Sequence, residues 1–91
     1  MKIVITHHRV KDYSAWRPIY DGDAARRRSA GIRDLAVASK PGDPNDIYML
    51  WEVRDPAILQ GMLTDPNLKV TMERAGVVSP PEVFLELDLG K

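Results

Sequence analysis

The chain has 91 residues, with 13 basic and 13 acidic side chains and no cysteine. That length leaves room for a single domain, expected over residues 1–91, and so small a domain hides only roughly 60–65% of its unfolded surface. Balanced charge draws in neither nucleic acid nor an anionic membrane, and the missing thiols exclude disulfides, thiolate metal sites and cysteine nucleophiles.

Residues 2–10, KIVITHHRV, alternate and are rich in β-branched side chains, which predicts a first strand. Ile3, Ile5, His7 and Arg9 share one side of it; Val4, Thr6, His8 and Val10 share the other. Asp12 offers an N-cap for a helix from Tyr13 to about Ala30, where Gly31 can take the left-handed conformation that ends it. Pro18 lies inside that helix and removes a backbone donor, so a kink or break is expected there. Ile32 to Ser39 reads as a second strand, KPGDPN (40–45) as a turn, and Asp46 to Arg54 as a third strand closing a hairpin. Asp55-Pro56 and Asp65-Pro66 each combine a cap with proline at the first helical position, which predicts two consecutive short helices. Glu82 to Leu89 is a last alternating strand, expected to group Val83, Leu85, Leu87 and Leu89 with Phe84 opposite.

The order β-α-β-β-α(α)-β is that of a ferredoxin-like α+β fold, with strands one and three central in a four-stranded antiparallel sheet and helices on one face. The other face should be polar in a lone subunit, yet both faces carry apolar residues. Ile47, Met49, Trp51 and Val53 lie on one side of strand three, and Tyr48 and Leu50 on the other. A second copy would cover the remaining face, so a homodimer is expected. The opening residues lack a secretory leader pattern, and no apolar run nears the roughly 20 residues that span a bilayer. A cytoplasmic protein is therefore expected.

His7 and His8 are neighbours on a strand and point to opposite faces, so they cannot chelate one ion, and no third ligand stands at a suitable spacing. No metal or cofactor is expected. His8 shares its side with Val4, Thr6 and Val10 and is the histidine expected in the helix-covered interior, either as a partly buried side chain hydrogen-bonded to a neighbour or as a base. At 100° per residue, Trp16, Tyr20, Asp23 and Arg27 fall in one helical sector of roughly 60°. Two aromatics with an acid–base pair describe a pocket wall as well as a core. Arg27 either pairs with Asp23 inside or extends its head to solvent, which is the more ordinary behaviour of a long side chain. Trp51 would border the same space if its side of strand three is the one the helices cover, although most such tryptophans are simply core. The run Arg26-Arg27-Arg28 with Arg33 reads as a solvated helix face rather than an RNA surface. No phosphate loop, nucleophile elbow or telling carboxylate pair occurs.

The stretches HRVKDYSAW (8–16), DPND (43–46) and AGVVSPPEVFLE (75–86) resemble the antibiotic-biosynthesis-monooxygenase-like group of the dimeric α+β barrel superfamily. More narrowly, they resemble a branch labelled cyclase or left uncharacterised. The motifs that carry it are His-x-Val-x-Asp-Tyr-x-x-Trp and Gly-Val-x-x-Pro-Pro, and the likeness spans nearly the whole chain. It implies two ferredoxin-like sheets closing into a barrel, with a pocket between helices and sheet in each subunit. It fixes no single reaction. In the resembled oxygenases the deprotonated substrate itself supplies electrons to dioxygen, so the protein needs only a base and a shaped pocket. On that pattern His8 is the expected base and Arg27 the group that holds the anion, with Trp16, Tyr20, Asp23 and Trp51 forming the substrate wall. A cyclase or isomerase would use the same parts on a small aromatic or enolisable molecule. The alternative is a non-catalytic dimeric module that binds a ligand or regulates a partner. The asparagine that some relatives carry on the first strand is absent, since the chain's asparagines are Asn45 and Asn67. The second helical unit has no histidine for haem, so haem degradation is not implied.

Overall fold

In a computed structural model describing residues 1–90, the chain runs through four strands and four helices. These are β1 (Lys2–Arg9), α1 (Tyr13–Gly22), α2 (Ala24–Ser29), β2 (Ile32–Lys40), β3 (Asp43–Val53), α3 (Pro56–Leu63), α4 (Pro66–Arg74) and β4 (Glu82–Asp88). Three aspartates start helices as their positions predict. Asp12 accepts from the Ser14 N–H at 3.0 Å, Asp55 from Ala57 at 3.0 Å and Asp65 from Asn67 at 2.9 Å. Each satisfies a backbone donor that the first turn leaves free.

The sheet is antiparallel throughout, in the order β2-β3-β1-β4, so β1 and β3 are central as expected. This is the ferredoxin-like α+β arrangement. Val4, Thr6, His8, Ile47, Met49, Trp51 and Val53 are all buried, and Trp16, Leu59, Met62 and Leu68 from the helices are buried with them. The groupings read along both central strands hold, and the structure shows that these are the sides the helices cover. Among the described residues no helix is long and apolar enough to cross a membrane.

Three local expectations need correction. The first helix does not break at Pro18. That proline and Ser14, whose carbonyl loses its donor, are both exposed, so water can take the carbonyl and α1 continues to Gly22. The break comes at Asp23, whose N–H bonds to the Tyr20 carbonyl at 3.1 Å while the Arg27 side chain donates to the same carbonyl at 2.9 Å. A side chain thereby supplies a hydrogen bond that the next turn would have given.

The hairpin turn is also tighter than the segment 40–45. Pro41 and Gly42 alone form it, with Gly42 at φ 81°, and Asp43 already pairs with Lys40. Proline followed by a left-handed glycine is the sequence of a type II turn, and a register shift beyond it absorbs residues 44–46.

In β4 the alternation fails at a bulge. Val83 pairs with Thr6, but Leu85 pairs with Ile5 and Leu87 with Ile3, so Val83 is parted from the leucines. Phe84 meets Tyr48 edge-on, at 5.4 Å between ring centres, on the face the helices leave open. An extra residue in one strand moves everything beyond it to the opposite face.

Candidate functional site

The strand β1 aims His8 and Thr6 at the underside of the helices, and α1 returns Trp16 and Tyr20 over them. A cavity of about 50 Å³ remains between these layers. All six residues singled out from the sequence line it: His8, Trp16, Tyr20, Asp23, Arg27 and Trp51. Their convergence across β1, α1, α2 and β3 follows from the fold. A shallower groove of about 480 Å³ adjoins the cavity outside α4. Leu63, Met72 and Pro81 line both spaces and so stand between them.

An aromatic ladder forms the wall. The His8 ring meets Trp16 edge-on at 5.4 Å, Trp16 stacks on Tyr20 at 4.7 Å, and the Arg27 guanidinium lies 3.7 Å from the centre of the Tyr20 ring. Such stacking fixes ring positions as well as hiding surface. Behind it runs a hydrogen-bonded chain. Trp51 Nε1 donates to the Tyr20 hydroxyl at 2.8 Å, and that hydroxyl donates to Asp34 Oδ1 at 3.2 Å. Arg27 clamps the same carboxylate through Nε at 2.8 Å and Nη2 at 3.1 Å.

Arg27 is therefore buried, neither extended to solvent nor paired with Asp23. Asp23 instead binds Arg26, both oxygens lying 3.1 Å from Nε. The helix break explains the exchange, because it turns Arg27 toward β2 and leaves Arg26 beside Asp23. Asp34 is the residue the sequence reading missed. Its signal was modest: it shares strand parity with Ile32, which puts a carboxylate on the helix side and calls for a cation nearby.

The two polar groups on β1 differ from the rest. Among the described residues, the buried side-chain nitrogen or oxygen atoms with no hydrogen-bond partner in the chain are Thr6 Oγ1 and the two ring nitrogens of His8. Burial, with a smaller contribution from His7, pulls the His8 pKa down to about 4, so the imidazole is neutral near pH 7. Burial likewise pushes the Tyr20 phenol up to about 12, which keeps it protonated as the donor to Asp34. His7, on the open face, is held between Asp46 and Glu82 and takes no part in the cavity. No group of three or more metal-ligating side chains is found among the described residues.

No family model matches the sequence, and no curated protein matches it. Solved structures do match over the whole chain. One described as an antibiotic biosynthesis monooxygenase has 18% identity, a TM-score of 0.64 and full coverage of both chains. An uncharacterised NIPSNAP domain protein from Burkholderia xenovorans has 15% identity and a TM-score of 0.66, covering 99% of this chain and 95% of its own. A candidate antibiotic biosynthesis monooxygenase from Caulobacter crescentus CB15 has 11% identity and a TM-score of 0.69, covering 99% and 90%. The chain has the fold of the antibiotic biosynthesis monooxygenase structures. At such identities the likeness to these monooxygenases is one of fold, and the chemistry must be argued from the cavity itself.

Proposed function

We propose that the protein takes up a small aromatic or enolisable molecule in the cavity and that His8 removes its acidic proton. The observation that carries this reading is a neutral, buried histidine with both ring nitrogens unpaired beside an aromatic wall. Trp16 and Tyr20, stacked on each other, form the wall against which a flat substrate would lie, while Arg27 lends positive potential from behind Tyr20, its charge already offset by Asp34.

The monooxygenase names of the structural neighbours favour one version of the chemistry. A ring methylene becomes a carbonyl as one atom of dioxygen enters it and the other leaves as water, the substrate supplying all four electrons. That balance calls for a base and a water-poor pocket. Ring closure or isomerisation would begin from the same anion.

The cavity of about 50 Å³ holds no more than a few waters, whereas benzene needs roughly 150 Å³. Access thus requires its walls to yield. Met62 and Met72 are unbranched side chains suited to that movement, and Met72 borders the outer groove. The same aromatic wall would also serve a second reading, a ligand-binding module without turnover.

The active form proposed is a homodimer closed across the open sheet face, giving one barrel. Ile3, Ile5 and Leu50 are half-buried there, and Phe84, Leu85 and Leu87 are exposed in a single copy. Polar groups border this patch at one end, where His7 lies between Asp46 and Glu82. An apolar centre with a polar rim is the usual anatomy of an interface.

A thermal-shift panel of phenols, quinones and enolisable ketones tests the reading on wild type and His8→Ala. At least one class should raise the wild-type Tm by several degrees and do so much less in the variant. Equal shifts would remove the role of His8, and no shifts would remove the ligand. Dioxygen uptake with a bound compound separates the enzyme from the binding module.

A further inference from the structure

We infer that the Thr6 hydroxyl and the His8 imidazole form one subsite for a single ionisable hydroxyl, phenolic or enolic, of a neutral substrate. Thr6 is the donor that holds the oxygen once His8 has taken its proton. The inference rests on the reading of the cavity as a ligand site and names what that site recognises.

The polar groups around the cavity can be accounted for in turn. Tyr20, Trp51 and Arg27 are tied together through Asp34, Asp23 binds Arg26, and Thr71 donates to the Asn67 carbonyl at 3.1 Å. Thr6 and His8 have no such partners although they are 0% and 4% exposed. Their strand neighbours cannot help. Thr6 sits between Met49 on β3 and Val83 on β4, and His8 lies opposite Ile47. A buried hydroxyl left unpaired costs free energy, so a native chain keeps one chiefly where something else will bond to it.

The geometry suits one oxygen rather than two. Residues two apart on a strand stand roughly 6.6 Å apart on the same face, a little over twice an ordinary hydrogen-bond length. An oxygen between them can donate to the unprotonated nitrogen of His8 and accept from Thr6. In the step itself the substrate O–H bond breaks, its electron pair stays on oxygen and the proton passes to that nitrogen. Imidazolium and oxyanion form together, so the cavity's net charge does not change. Burial disfavours the imidazolium, and a donor fixed on the developing oxyanion offsets part of that cost. A carboxylate has no such match, because it arrives already charged and the guanidinium facing the cavity is compensated by Asp34.

Phenol, toluene and benzoate, titrated into wild type, Thr6→Val and Thr6→Ser at pH 7, test this. Without ligand, Thr6→Val should raise Tm by about 4 °C, since it removes an unpaired buried hydroxyl and keeps the shape. It should weaken phenol about tenfold and leave toluene unchanged, while Thr6→Ser restores phenol. A bound nitrophenol gives a second readout, its absorbance showing a higher ionisation pH in Thr6→Val than in wild type.

Phenol bound equally by wild type and Thr6→Val, or benzoate bound in preference to phenol, overturns the subsite and leaves the cavity a ligand site. A Thr6→Val protein that unfolds also overturns it, by giving the hydroxyl a structural role. Wild type that binds none of these probes, nor any compound of the wider panel, removes the ligand reading and the subsite with it.

Discussion

His8 shows how one buried group ties chemistry to stability. The unfolded chain protonates it near the ordinary value of 6.5, whereas the folded chain resists until about 4. Below pH 6.5 the unfolded form binds the extra proton, so folding stability falls as the pH drops through that interval. The loss attributable to this residue reaches about 3 kcal/mol near pH 4. Chemical denaturation of wild type and His8→Leu between pH 7 and 4 should give a visibly shallower pH dependence in the variant. Identical slopes would mean that the imidazole is hydrated in the folded state. The same burial keeps the free base available at neutral pH, which is the form a proton acceptor requires.

At the scale of elements, α2 and β2 are joined through Arg27 and Asp34, and this pair fixes the aromatic wall. The guanidinium is almost wholly covered, while the carboxylate is partly open to water. Replacing the carboxylate leaves a buried cation held only by the Tyr20 carbonyl and ring, with water able to reach the gap. Asp34→Ala is therefore expected to cost about 2–3 kcal/mol, less than loss of a fully sealed pair. The Tyr20 hydroxyl would lose its acceptor as well, so the fluorescence of Trp51, whose indole donates to that hydroxyl, should change with the mutation. A variant as stable as wild type would show that solvent already screens the pair. The break at Asp23 belongs to this same device, because it turns Arg27 onto β2.

For the molecule as a whole, the open face of the sheet is the surface on which the proposed dimer rests. Exposed Phe84, Leu85 and Leu87 lie beside half-buried Ile3, Ile5 and Leu50, a run of apolar surface larger than scattered side chains would make. Light scattering should give about 20 kDa for the wild type, twice the 10.2 kDa chain. Leu85 is 42% exposed in one copy, so Leu85→Asp should barely disturb a single subunit yet shift the protein to 10.2 kDa. A wild type that stays a single copy at high concentration would leave the proposed barrel without support.

The order of strands and helical units, and the grouping of side chains on β1 and β3, were legible along the chain, although the position of the break between α1 and α2 and the side the helices cover on β3 were not. Caps, prolines and alternation act over a few residues and need no knowledge of the rest of the chain. The sequence also marked His8, Trp16, Tyr20 and Trp51 as candidates for one neighbourhood, since strand parity and helical phase are local facts too, and the fold brings them together. Which charges pair depends on contacts between separate elements. Arg27 lies seven residues from Asp34 and four from Asp23, and the choice between them goes with the helix break at Asp23, which turns Arg27 onto β2. The bulge in β4 is of the same kind. One extra residue, set by pairing with β1, moved Leu85 and Leu87 away from Val83, which no pattern within the strand could reveal.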